Sequence, residues 1–130
     1  MIKQTSQLQQ LVENALKTHR SIRGIGVVDI RGVQIYFKLR KGLKPLLTEI
    51  ENEEYASNAI ERHRNRIKFD GATGGLDYAI VRYENVIRGI VPITQELYLL
   101  MAFDTELVEF DEIVTIKEHF LNPTCTIFKK

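Results

Sequence analysis

Cysteine is almost missing from this chain. Among 130 residues there is one, Cys125, so no internal disulfide can form and no thiolate pair or quartet exists to hold zinc or an iron cluster. That usage fits a reducing, cytoplasmic setting. Charge of one sign is not in excess either: 18 Lys+Arg against 17 Asp+Glu leave a formal net charge of +1, too little for a global field that draws in nucleic acid or an acidic membrane. No window approaches the roughly 20 apolar residues that span a bilayer, so direct membrane insertion is not expected. The N-terminal MIKQTSQLQQLVENALKTHR also lacks the unbroken apolar core of a signal peptide.

What is present suits one globular domain. Hydrophobic residues make up 44% and charged residues 27%, near the averages for soluble proteins, and the length is that of a single domain. Residues 1–121 are expected to form it, with 122–130 as a short tail. Leu8, Leu11, Val12, Ala15 and Leu16 recur at helical spacing, with Ser6 and Gln9 as a candidate capping box. Gly24 and Gly26 break that period. From Ile25 the pattern is strand, turning at Asp29-Ile30-Arg31-Gly32 and returning with Val33, Ile35, Phe37 and Leu39 as one apolar face.

Residues 41–52, with Gly42 and Pro45, read as a connection. Ala56, Ala59, Ile60, His63 and Ile67 then mark a second helix over residues 53–66, acidic at its start and basic at its end as the helix dipole favours. FDGATGGL ends it. DYAIVRY and VIRGIVPI form a second hairpin about Glu84-Asn85, where Asn tolerates left-handed geometry, and Pro92 belongs at a strand end. LYLLMAF, apolar on both faces, belongs inside the sheet. A stripe from Leu107 to Leu121 predicts a closing helix, although Ile113-Val114-Thr115-Ile116 taken alone favours strand. The order α-β-β-α-β-β-β-α predicts an α+β (α/β) sandwich: a five-stranded antiparallel sheet with helices on its faces.

Chemistry-bearing groups are sparse. His19, His63 and His119 have no partner at metal-ligand spacing, Cys125 sits in the tail, and GATGG lacks the Lys and Ser/Thr of a phosphate loop. Asp77 and Asp104 read as strand-entry and capping residues. No catalytic residue, metal or cofactor is expected, and hence no enzyme. Two basic clusters remain, KLRKGLK with Lys38, Arg40, Lys41 and Lys44, and ERHRNRIK with Arg62, Arg64, Arg66 and Lys68. They are either a solvated edge, a patch for an acidic protein or lipid headgroup, or a phosphate-backbone site. Lys38, Arg40, Lys41, Lys44, Arg62 and Arg66 are the candidate acidic-partner patch.

The leading helix, the hairpin IRGIGVVDIRGVQIYF, the helix NEEYASNAIERHRNR, the hairpin DYAIVRYENVIRGIVPI, the strand LYLLMAF and a closing helix together resemble the roadblock family, relatives of a dynein light chain. The family's first hairpin reads as apolar residues, Asp, a residue or two, Gly and apolar residues again, and Val28-Asp29-Ile30-Arg31-Gly32-Val33 is similar to that. Profilin-like and longin-type domains share such a sandwich. The resemblance implies a non-enzymatic homodimer, or a heterodimer with a roadblock-like paralogue, serving as a platform for a small Ras-like GTPase, a motor or a signalling assembly, with no cofactor and no nucleic acid. It places the dimer interface on the central helix and the neighbouring edge strand, here Tyr55, Ala56, Ala59, Ile60, His63, Val81 and Tyr83. The alternative is a profilin-like sensor or small-anion-binding module.

Overall fold

The computed structural model of the chain describes residues 2–18 and 20–105. The expected closing helix and tail, with His119, Cys125 and the segment 113–116, lie outside the described residues, as does His19. The elements run α1 (Ile2–Thr18), β1 (Ile22–Asp29), β2 (Gln34–Leu39), α2 (Glu49–Ile67), α3 (Asp70–Thr73), β3 (Ala79–Arg82), β4 (Ile87–Pro92) and β5 (Leu97–Phe103). The strands form one sheet in the order β2-β1-β5-β4-β3, with every neighbouring pair antiparallel.

Alternation along the strands splits the core into two layers. Ile25, Val27, Leu99, Met101, Phe103, Ile87 and Val91 join Leu8, Val12, Ala15 and Leu16 of α1. Val28, Ile90, Tyr98 and Leu100, one residue out of phase, join Ala56, Ala59 and Ile60 of α2. The two helices therefore cover opposite faces. β5 is central and apolar on both sides because it contributes to both layers, and each fully buried Leu, Val or Phe stabilises the fold by about 1.5–3 kcal/mol.

The first turn forms as its chemistry predicts. Gly32 takes φ +87°, its N–H donates to the Asp29 carbonyl at 2.9 Å, and Asp29 Oδ1 accepts from the amides of Arg31 and Val33 at 2.9 and 3.0 Å. Burial pushes the Asp29 carboxyl up, but hydrogen bonds from the Arg31 side chain and from those two amides, with the Arg31 charge, outweigh it and hold the group below its ordinary 3.8. The second hairpin closes through Tyr83 N–H to the Val86 carbonyl at 2.8 Å. No described residue other than glycine has positive φ, so Asn85 does not adopt the left-handed geometry expected of it.

Several boundaries differ from the sequence expectations, each for a local reason. α1 starts at Ile2, which puts Ser6 inside the helix and not at its cap. β1 begins at Ile22 and absorbs Gly24 and Gly26. α2 begins at Glu49, within the expected connection, because Thr48 and Glu51 form a reciprocal capping box that satisfies two free amides at the helix start. FDGATGGL contains the single turn α3. In β2 the register shifts so that Val27 pairs with Tyr36 but Val28 with Gln34, which makes Ile35 a bulged residue. The bulge turns Gln34 toward α2, where its Oε1 accepts from Asn52 Nδ2 at 3.2 Å, and leaves Val33 and Ile35 exposed. Only Phe37 and Leu39 of the expected apolar face remain half-buried.

Candidate functional site

α2 and β3 lie side by side at one edge of the sheet. Among the described residues β3 pairs with β4 alone, so its outer row of backbone N–H and C=O groups faces away from the described sheet. Val81 is 44% and Tyr83 48% exposed there, an apolar rim on an open edge. Tyr55, Arg62 and Arg66 of α2 border a shallow groove whose other wall is Ala79 and Val81 of β3. Across its floor Arg88 of β4 stands with its guanidinium 3.9 Å from the Tyr55 ring centroid, and Arg62 approaches the same ring at 5.6 Å, both within reach of a cation–π attraction.

The expected interface residues therefore fall into two groups. Tyr55, Val81 and Tyr83 border the α2/β3 edge. Ala56, Ala59, Ile60 and His63 do not form a free helix face: all four are buried, the first three in the layer over Val28, Ile90, Tyr98 and Leu100. The apolar stripe of α2 is occupied by its own sheet. Residues 57, 58, 61 and 62 between them are exposed, and a partner meeting this helix meets those.

His63 sits with its ring 4.7 Å from that of Tyr98, tilted by 60°, and its Nδ1 is buried without a hydrogen-bond partner. Burial, reinforced by the charge of Arg66 and partly opposed by Asp70, lowers its pKa below the ordinary 6.5. The unfolded chain then takes up this proton near 6.5 while the folded chain resists it, so the unfolded state binds more protons and stability falls as pH drops from 6.5 toward the folded value. Urea midpoints measured from about pH 7.5 to 5.5 are expected to decline more steeply for the wild type than for His63→Gln. Equal slopes would show that the imidazole is no more desolvated in the folded chain than in the unfolded one.

The acidic-partner patch does not assemble. Lys38 pairs with Ile25 and so faces the α1 side at the β2 edge, whereas Arg62 and Arg66 border β3 on the α2 side. Arg40 is a structural cation: its Nε donates to the Ile22 carbonyl at 2.6 Å and its terminal nitrogen to the Leu16 carbonyl, tying α1 to β1 and β2. Arg64 donates to the Ile30 carbonyl at 2.6 Å, which fastens α2 to the first turn. Lys41 and Lys44 are exposed. Asp104 accepts from Arg23 at 2.9 Å; the helix it was expected to cap lies outside the described residues. Arg88 carries no motif; its one sequence signal is that it is the single cation in the apolar strand IRGIVP.

No protein-family model and no curated protein matches the sequence. Solved structures do match in shape. The gliding protein MglB from Thermus thermophilus is 12% identical with a TM-score of 0.78, the match covering 97% of this chain and 91% of that one. MglB of Myxococcus xanthus is 11% identical with a TM-score of 0.71, covering 97% and 93%. A roadblock/LC7 domain from Streptomyces avermitilis is 8% identical with a TM-score of 0.65, covering 92% and 90%. At such identities the likeness is one of architecture, and it extends over nearly the whole of each chain: this protein has the fold of a roadblock/LC7-type domain.

Proposed function

We propose that the chain is a non-enzymatic, cytoplasmic scaffold or regulator that dimerises through the α2/β3 edge and presents a docking surface to a small Ras-like GTPase, within a signalling or motor assembly. The observation that carries this reading is the open edge of β3, where unpaired backbone groups and the exposed Val81 and Tyr83 adjoin the outward side of α2. Such an edge is satisfied when a second strand adds to it. A second copy supplies one by symmetry, and a roadblock-like paralogue supplies an equivalent one. Among the structural neighbours, an MglB structure with a tetrameric arrangement supports a role built on assembly.

Size-exclusion chromatography with light scattering is expected to give twice the chain mass for the wild type. Val81→Asp changes an exposed position, so it is expected to fold normally and elute as a monomer, since the two-fold brings the new carboxylates close together. A wild-type monomer at micromolar concentration, or a Val81→Asp dimer of undiminished affinity, would remove the β3 edge from the reading. The GTPase role is tested separately, by capture of Ras-like GTPases loaded with GDP or with a GTP analogue; recovery is expected to favour one nucleotide state, and no recovery in either state overturns it.

A further inference from the structure

Charge is segregated along α2. Glu49, Glu51, Glu53 and Glu54 precede Asn58, whereas Arg62, Arg64 and Arg66 follow it, with Glu61 as the exception. Part of that charge is used within the chain: Glu51 closes the helix cap, and Arg64 holds the Ile30 carbonyl. Glu54 and Arg62 are both exposed, and among the described residues no ion pair engages either. With Asn58 between them they follow one ridge of the helix at four-residue spacing. About 12 Å of helix axis separates them, too far for the two to meet in one copy.

The groove beside this ridge is one-sided in charge. Arg62, Arg66 and Arg88 line it, and among the described residues no carboxylate does. A partner that brings acidic groups complements it, and the exposed acidic half of α2 supplies them in a second copy. Symmetry brings the two together. When β3 adds to β3 across a two-fold axis normal to the sheet, both α2 helices stay on one face and run antiparallel. Val81 lies across the groove from residues 55–66, so an axis beside Val81 falls level with the middle of that stretch, close to Asn58. We infer that the occupant of the α2/β3 edge is a second copy of this chain, selected by charge, with Glu54 of each copy facing the partner's Arg62. Parallel helices would set Glu54 against Glu54 and Arg62 against Arg62, and juxtaposed like charges are penalised more heavily than an exposed ion pair is rewarded. This selection rests on the dimer at the β3 edge and adds to it the identity and orientation of the partner.

Dimer dissociation constants are measured on the full chain by sedimentation equilibrium at about 50 mM salt, where surface charges are weakly screened. Glu54→Arg and Arg62→Glu are each expected to weaken the dimer about tenfold or more, since each makes both symmetry-related pairs repulsive. The double variant, with both substitutions on one chain, sets opposite charges face to face again and is expected to return to within about threefold of the wild type. Wild type and double variant carrying different tags, mixed in equal amounts, are expected to sort into homodimers, because a mixed dimer faces Glu with Glu and Arg with Arg. Both positions are exposed, and circular dichroism checks that each variant folds. Single variants that dimerise as tightly as the wild type, a double variant no tighter than the single ones, or mixed dimers at statistical yield overturn the charge selection, while loss of the dimer in Val81→Asp would still support the β3 edge. A wild-type monomer instead removes the dimer, and the charge selection with it.

Discussion

Ile60→Ala is expected to destabilise the folded chain by about 2–5 kcal/mol, the range for truncating a fully buried aliphatic side chain. Ile60 is 0% exposed and packs in the layer formed by Val28, Ile90, Tyr98 and Leu100. Its removal forfeits the transfer energy of the lost methyl and methylene groups and leaves a cavity that a sheet on one side and a helix backbone on the other cannot close. Glu61→Ala, one residue on and exposed, is expected to change stability by no more than about 0.5 kcal/mol. The contrast is read from urea midpoints at two protein concentrations. A core role predicts the same loss at both, whereas an interface role predicts a loss that depends on concentration. A change for Ile60→Ala below about 1 kcal/mol, or one confined to the higher concentration, would move Ile60 out of the core.

Gly32→Val is the second large effect, because two penalties act at one position. The backbone there has φ +87°, and a Cβ would stand 3.0 Å from the Cα of Ser57 in α2. A β-branched residue in left-handed geometry costs about 1–3 kcal/mol, and the contact is with helix backbone, which cannot rotate away. Gly42 provides the control: its φ is +90°, but no atom lies within 4 Å of a Cβ built there. Gly42→Val is expected to lose only the backbone part. If the two variants unfold at the same urea concentration, the close approach of turn and helix contributes nothing.

These two positions also show what the sequence discloses and what it withholds. Turn chemistry is local, so Asp29 and Gly32 announce the hairpin by themselves, and LYLLMAF announces a central strand because only an interior strand buries both faces. The stripe Ala56, Ala59, Ile60 and His63 was equally visible, but a helical period says which residues share a face and not what covers it. That is why a core layer resembles an interface in sequence. Thr48 and Glu51 had the spacing of a capping box, yet they fell in a segment that Gly42 and Pro45 marked as loop. The bulge at Ile35 is set by pairing with β1, a non-local fact, and without it Gln34 would face the apolar α1 layer. The basic clusters scattered for the same reason: successive strand residues point to opposite faces, and Arg40 and Arg64 found backbone carbonyls. Arg88 became notable only once its neighbours were known.

The two edges of the sheet are not equivalent, and the difference limits growth. β2 is interrupted by the bulge at Ile35 and carries the exposed Lys38, two features that discourage another strand from adding. β3 is short, regular and rimmed by Val81 and Tyr83. Among the described strands, addition that consumes β3 in both partners leaves only β2 edges facing outward, so a ladder of copies built on these strands has a natural terminus after two and does not propagate into a filament.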